Sequence, residues 1–270
     1  MVENKSLVVL LVMVAVSASV MAVELDVDLS TDFLSRYVWR GQDGGQTAVV
    51  QPSTTISKDG YSFNVWGNMP LSDISSAPGA AGRQFTFTEV DLTLDYTGDV
   101  PGSDILDFSA GYIMYIFPSN TGAFFAPTFH ELYAGLAVDT LLNPSVTIYR
   151  GITPQPSTTS ANGWYINAGV DHSVALPTQE DLALDLSATI GWGDSNYNNN
   201  FWTKLGAAAA PGSGLNDLVV GASLPIEIAG VTLIPQVSYI TLVESKVRSN
   251  NGLGGNSDFW VAGVGAAKAF

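Results

Sequence analysis

The sequence predicts an all-β fold, a transmembrane antiparallel up-and-down β-barrel of about twelve strands. Three observations predict it. Segments of apolar and polar residues in alternation run through the chain, the connections between them are in turn short and long, and the chain ends on Phe270. Each strand of such a barrel puts one face to lipid and one to the lumen, with tight turns at one rim and long loops at the other.

Residues 7–16 form an almost unbroken apolar run behind Lys5, and Val20-Met21-Ala22 offers a small residue before Val23-Glu24. That pattern is a secretory signal peptide, too short to cross a bilayer as a helix. The expected organisation is a leader over residues 1–22, cleaved after Ala22, and one barrel over residues 23–270 in the bacterial outer membrane. The chain is 46% hydrophobic and 13% charged, yet beyond the leader it has no apolar run long enough for a spanning helix. Its apolar groups are therefore spread in alternation. With no cysteine, disulfides, thiol chemistry and cysteine metal sites are excluded. A net charge of −15 excludes nucleic acid as a partner, since phosphates need a basic patch.

The strands are expected at residues 25–40, 46–58, 61–70, 85–96, 104–117, 128–140, 144–151, 164–175, 181–193, 217–228, 231–243 and 257–270. In the first, Leu25, Val27, Leu29, Phe33, Tyr37 and Trp39 oppose Asp26, Asp28, Asp32, Arg36 and Arg40. In the fourth, Val90, Leu92, Leu94 and Tyr96 oppose Glu89, Asp91, Thr93 and Asp95. Leu106 to Ile116 and Leu182 to Trp192 alternate in the same way, and a period of two over such lengths is strand. Asp59-Gly60, residues 98–103, 141–143 and 176–180, and Ala229-Gly230 are short, turn-forming connections for the periplasmic rim. The connections around 71–84, 118–127, 152–163, 194–216 and 244–256 are longer and polar, as the outer rim requires, and only the loop near Gln42 to Gly45 is short there.

Aromatic residues of a membrane barrel ring the two interfaces, where a half-wetted ring is at home. Trp39, Trp164, Trp192 and Trp260 are expected at outer strand ends on the lipid parity, and Tyr61, Tyr96, Phe108 and Phe270 at inner ends. Phe270 continues the parity of Trp260, Ala262, Val264 and Ala266, a C-terminal signal of the kind the barrel-assembly machinery reads. Lys268 on the same face can snorkel to the interface.

The stretch Ser35-Arg36-Tyr37-Val38-Trp39-Arg40-Gly41, then Gln51-Pro52, then Gly60-Tyr61-Ser62-Phe63-Asn64-Val65-Trp66-Gly67-Asn68 resembles the N-terminal signature of the TorF-type porins, also called the Gcw_chp family. The resemblance covers roughly residues 25–75 by motif. It implies an exported porin-like barrel and no named substrate. Here Gln42-Asp43-Gly44-Gly45 replaces the usual polar segment, and Asn68 follows the Trp-Gly pair.

Asp91, Asp95, Asp107, Asp171, Asp185 and Glu227 take the lumen parity, with Arg36 and Arg40 toward the outer end of the first strand. Carboxylates on a narrow, low-dielectric wall would concentrate cations and set selectivity. They are also compatible with a plugged barrel, the lesser reading, because about twelve strands lie between filled eight-stranded barrels and open porins. Arg36 and Arg40, four apart on one side, can hold an anionic solute or pair with facing carboxylates. His130 and His172 have no nucleophile context, so no enzyme is expected, and they are too few for a histidine metal site. Asp194-Ser195-Asn196-Tyr197-Asn198 has the spacing that opens a calcium loop, but Asn199 stands where the turn glycine belongs and no closing Glu follows. A solvated outer loop is expected there, with no metal and no cofactor. The expected function is passive passage of small hydrophilic solutes with modest cation preference. The alternative is a non-conducting structural or adhesin-like barrel acting through its outer loops.

Overall fold

The computed structural model describes residues 25–45, 47–73, 83–118, 128–153, 163–177, 182–202, 210–251 and 256–270. The expected leader lies outside the described residues. In chain order the elements are β1 (Asp26–Leu34), β2 (Val38–Trp39), β3 (Gln42–Asp43), β4 (Val49–Lys58), β5 (Tyr61–Pro70), β6 (Glu89–Asp99) and β7 (Leu106–Ile116). Then come β8 (Thr128–Val138), β9 (Ser145–Gly151), β10 (Trp164–Ala175), β11 (Ala183–Gly193), α1 (Ser195–Trp202), β12 (Gly214–Ser223), β13 (Ile226–Ile228), β14 (Val231–Leu242), α2 (Ser245–Asn250) and β15 (Asp258–Ala269).

Every wall strand pairs antiparallel with its neighbours in sequence, and β1 closes the ring by pairing with both β4 and β15. β12 and β13 are two pieces of one strand along β14, interrupted at Leu224-Pro225, so the closed barrel has twelve strands. Closure matters energetically because no backbone edge is left unpaired in a medium that cannot hydrate it. At the seam the amide of Phe270 donates to the Val27 carbonyl at 2.9 Å.

The turns at one rim follow from residue type. Asp59-Gly60 and Ala229-Gly230 each place two consecutive residues at positive φ, 51° and 84° in the first and 54° and 77° in the second. Type I′ hairpin turns require this, and glycine makes the second position cheap. The other rim carries the long connections, including α1 and α2.

Outward-facing Phe63, Leu94, Leu136, Val170, Leu186 and Val220 are exposed, forming an apolar belt that a soluble protein would bury. Rings flank the belt at both rims. Tyr61 and Phe270 are 66% and 62% exposed at the short-turn rim, where Tyr61, Tyr96 and Phe108 are in ring contact. Trp260 is 68% exposed at the other rim, and Trp164 and Trp192 share its outward parity there. Such a belt between two aromatic rings is the surface of a barrel that crosses a membrane.

Residues 61–70 and 164–175 form strands within the expected bounds, and most other ends move by a few residues. The first strand departs most. It ends at Leu34, not residue 40: the Ser35 amide still bonds the Ala262 carbonyl at 2.8 Å, then the chain turns inward. The next strand correspondingly starts at Val49 rather than 46. The strand expected at 217–228 begins at Gly214 and breaks where Pro225 has no N–H to give.

Candidate functional site in the barrel interior

β2 and β3 form a tight hairpin whose turn, Arg40-Gly41, has φ of 46° and 79°. This is again the positive-φ geometry of a type I′ turn, with glycine second. The hairpin lies inside the barrel, because its side chains touch wall strands on opposite sides of the ring. Tyr37 meets Trp66 on β5 at 5.5 Å, Trp39 meets Tyr115 on β7 at 5.8 Å, and Arg36 lies over Phe259 on β15 at 5.5 Å. A Cβ added at Gly41 would come within 2.6 Å of Leu242 and 2.9 Å of Asp217, so the tip is pressed against β14 and β12. Contacts this far apart around the ring are possible only across the bore.

Arg40 is the centre of this arrangement. Its guanidinium donates to both oxygens of Glu131 at 2.9 and 2.8 Å and lies over Trp39, Tyr149, Tyr165 and Tyr197 at 4.5, 4.3, 4.3 and 5.8 Å. A bidentate fork and stacked rings suit a planar guanidinium better than an ammonium. Burial disfavours its charge, and the Glu131 carboxylate compensates it through the two-point ion pair. Tyr115 donates to Glu131 at 2.8 Å and Tyr165 donates to Asp217 at 3.0 Å. Arg36 pairs with Asp43 of its own hairpin at 3.1 Å.

The long-loop rim adds a lid of side chains. Asp194 caps α1 by accepting from the Tyr197 amide at 2.7 Å, so its carboxylate serves a helix N-terminus and not a calcium loop. Residues 195–202 are therefore not a solvated loop: Tyr197, Asn198 and Trp202 are buried, and Trp202 packs with Leu242 and with Val247 of α2. Phe201 stacks on Tyr197 at 4.3 Å and meets Trp39 at 5.3 Å. A cavity of about 170 Å³ remains beside the hairpin, lined by Tyr37, Trp39, Asp43, Glu89, Phe129, Phe201 and neighbouring side chains.

The short-turn half of the interior is different. Gly135 lies between Ser109 and Thr147, Gly169 beside Thr189 and Ser145, and Gly221 between Ser187 and Ser238. On this wall of glycines and hydroxyls Asp171, Ser173 and Ser187 are exposed. Asn64 bridges Ser53 and Thr55 at 2.8 Å each. Asp95 accepts from Tyr133 and Thr97, Asp171 from Asn143, Asp185 from Ser173 and Glu227 from Thr232. Asp107, opposite Asp99 on β6, takes the same interior parity. Asp91 takes it too, but belongs to the packed half, where its Oδ1 is buried without a hydrogen-bond partner among the described residues.

Two expectations are corrected. Trp39 is not an interface aromatic; it lies in the bore because the strand ends before it. Arg36 and Arg40 line no wall strand and point to different partners, since a hairpin has replaced the straight strand that would have aligned them. Glu131, Asp217, Tyr149, Tyr165 and Tyr197 were not singled out from sequence. The missed signal was Arg40-Gly41, an X-Gly turn pair like the Asp59-Gly60 and Ala229-Gly230 pairs at the other rim.

The fold is that of an outer-membrane β-barrel. It is similar to the NanC porin, with a TM-score of 0.52 and 12% identity over 90% of this chain and 98% of that one. Weaker likenesses are the outer membrane protein opdK of Pseudomonas aeruginosa (TM-score 0.38, 11% identity, 90% of this chain and 60% of that) and Salmonella typhi OmpF (0.36, 10%, 92% and 97%). No family model matches the chain and no curated protein matches it in sequence, so the TorF-type resemblance rests on its motif residues alone.

Proposed function

We propose that the chain is a porin-like channel of the bacterial outer membrane for small hydrophilic solutes, with a modest cation preference, closed in this conformation by the hairpin around Arg40. The observation that carries the reading is the short-turn half of the interior, where Gly135, Gly169 and Gly221 sit among Ser and Thr hydroxyls and the interior-parity residues Asp171, Ser173 and Ser187 are exposed. A barrel evolved only as a scaffold gains more from filling that space with apolar side chains. Asp95, Asp107, Asp171, Asp185 and Glu227 give the wall its sign, and no lysine or arginine among the described residues takes the interior parity in that half. The similarity to the NanC porin supports a channel, and the motif in residues 35–68 supports a TorF-type member of that class.

Export through a leader cleaved after Ala22, insertion by the barrel-assembly machinery through the strand ending in Phe270, and contact with outer-membrane lipid belong to the same proposal. A second reading, a non-conducting barrel acting through its loops, is favoured by the hairpin spanning the bore. Swelling of proteoliposomes in arabinose separates the two. Swelling above that of empty liposomes is expected of the channel, whereas none, even after the hairpin is removed, would leave the non-conducting barrel.

A further inference from the structure

Arg40 sits where a ligand would. Glu131 is 1% exposed, on the interior face of β8, and Asp217 is 2% exposed, on that of β12. Around them Tyr149, Tyr165 and Tyr197 present their rings to one point, which the Arg40 guanidinium occupies at 4.3 to 5.8 Å. Without Arg40 this would be a cage of π faces floored by a carboxylate already oriented by Tyr115, the composition used to hold planar organic cations.

Charge balance points the same way. Among the described residues the ion pair that neutralises Glu131 comes from Arg40, because Arg36 is committed to Asp43 at 3.1 Å. Among the described residues the buried Asp91 Oδ1 has no hydrogen-bond partner. If the hairpin withdrew with nothing replacing it, Glu131 would be left buried and uncompensated, a costly state. A second cation of the same shape removes that obstacle. Tyr149 and Tyr165 belong to the wall and Tyr197 to α1, so these rings would remain after the hairpin left.

We propose that Glu131, Tyr149, Tyr165 and Tyr197 form a binding site for guanidinium-type organic cations, in which Arg40 is a resident surrogate ligand that such a solute displaces. The inference rests on the channel reading for transport, by naming a class of solute, but not for binding. Displacement of the hairpin then gives the solute a path, so a ligand that fits the cage raises the open fraction of the bore.

The test uses purified, folded full-length barrel carrying Arg40→Ala, with methylguanidinium chloride as the probe and potassium chloride at equal concentration as the control. Methylguanidinium should raise the Tm of the variant where potassium does not, and the wild type should need on the order of tenfold more, because its own arginine competes. Arg40→Ala combined with Glu131→Gln should lose the response. If Arg40→Ala does not assemble alone, methylguanidinium present during refolding should restore the fraction with altered unboiled mobility in SDS. Equal effects of the two salts, or an undiminished response in the double variant, would overturn the site. A Tm response in a barrel that never conducts would support the site and remove the transport reading.

Discussion

At the scale of residues, the Arg40–Glu131 pair decides the state of the bore. Truncating one member of a buried pair leaves the other charge uncompensated, at a cost of about 3–5 kcal/mol, whereas replacing both by apolar groups is close to neutral. Glu131→Ala should therefore lower the stability of the hairpin packing and raise the open probability in bilayers, and Arg40→Met with Glu131→Leu should recover most of the lost stability in urea unfolding. Equal losses in the single and double variants would mean that the two side chains are not coupled. The parity of the wall gives a second expectation. Leu186 faces outward and its neighbour Ser187 faces Gly221 in the interior. Leu186→Arg should cost about 2–4 kcal/mol near the membrane midplane and impair assembly. Ser187→Arg should assemble and narrow the bore, and equal assembly yields would place the register one residue off. Parity made Asp95, Asp171 and Asp185 legible in the sequence as interior residues, since a period of two leaves one choice of face. It left Glu131 and Asp217 unremarked because nothing in alternation says which interior carboxylate will meet an arginine arriving from elsewhere in the chain.

At the scale of elements, the hairpin was hidden by its own regularity. Residues 35–40 continue the apolar–polar alternation of β1, so periodicity extends the strand through them, while the Arg40-Gly41 turn that ends it rests on two backbone angles. Hairpin formation inside the bore then follows from what the tip carries, a guanidinium and two rings that would otherwise be left half hydrated. The same reasoning explains α1. Asp194 and the polar run after it look like a loop, but the Asp194 cap starts a helix and Tyr197 and Trp202 fix it on the rim. Because the wall ladder is made without β2 and β3, replacing residues 36–44 by a Gly-Ser linker should leave the closed ring intact. Unboiled protein of that variant should still migrate differently in SDS from boiled protein. A single mobility would show that the hairpin is needed to build the barrel.

At the scale of the molecule, the interior divides into a packed half and an acidic, hydroxyl-lined half in series. Twelve strands, closure and the apolar belt were legible because lipid imposes alternation on every strand. The division was not, because it depends on a loop-rim segment folding back into the bore. If the bore conducts, the carboxylates of the short-turn half should favour cations, and the bias should fade as screening shortens to about 3 Å at 1 M salt. Reversal potentials in a salt gradient should show that preference, and Asp95→Asn with Asp107→Asn should reduce it, whereas an anion-selective potential would contradict the interior placement.

The most direct test of the hairpin as the closing element is single-channel recording in planar bilayers, comparing the wild type with the variant in which a Gly-Ser linker replaces residues 36–44. The expected result is that the wild type is closed for most of the record and that the linker variant conducts steadily at a higher level. Equal conductance in the two would contradict it, since the hairpin would then not stand in the conducting path.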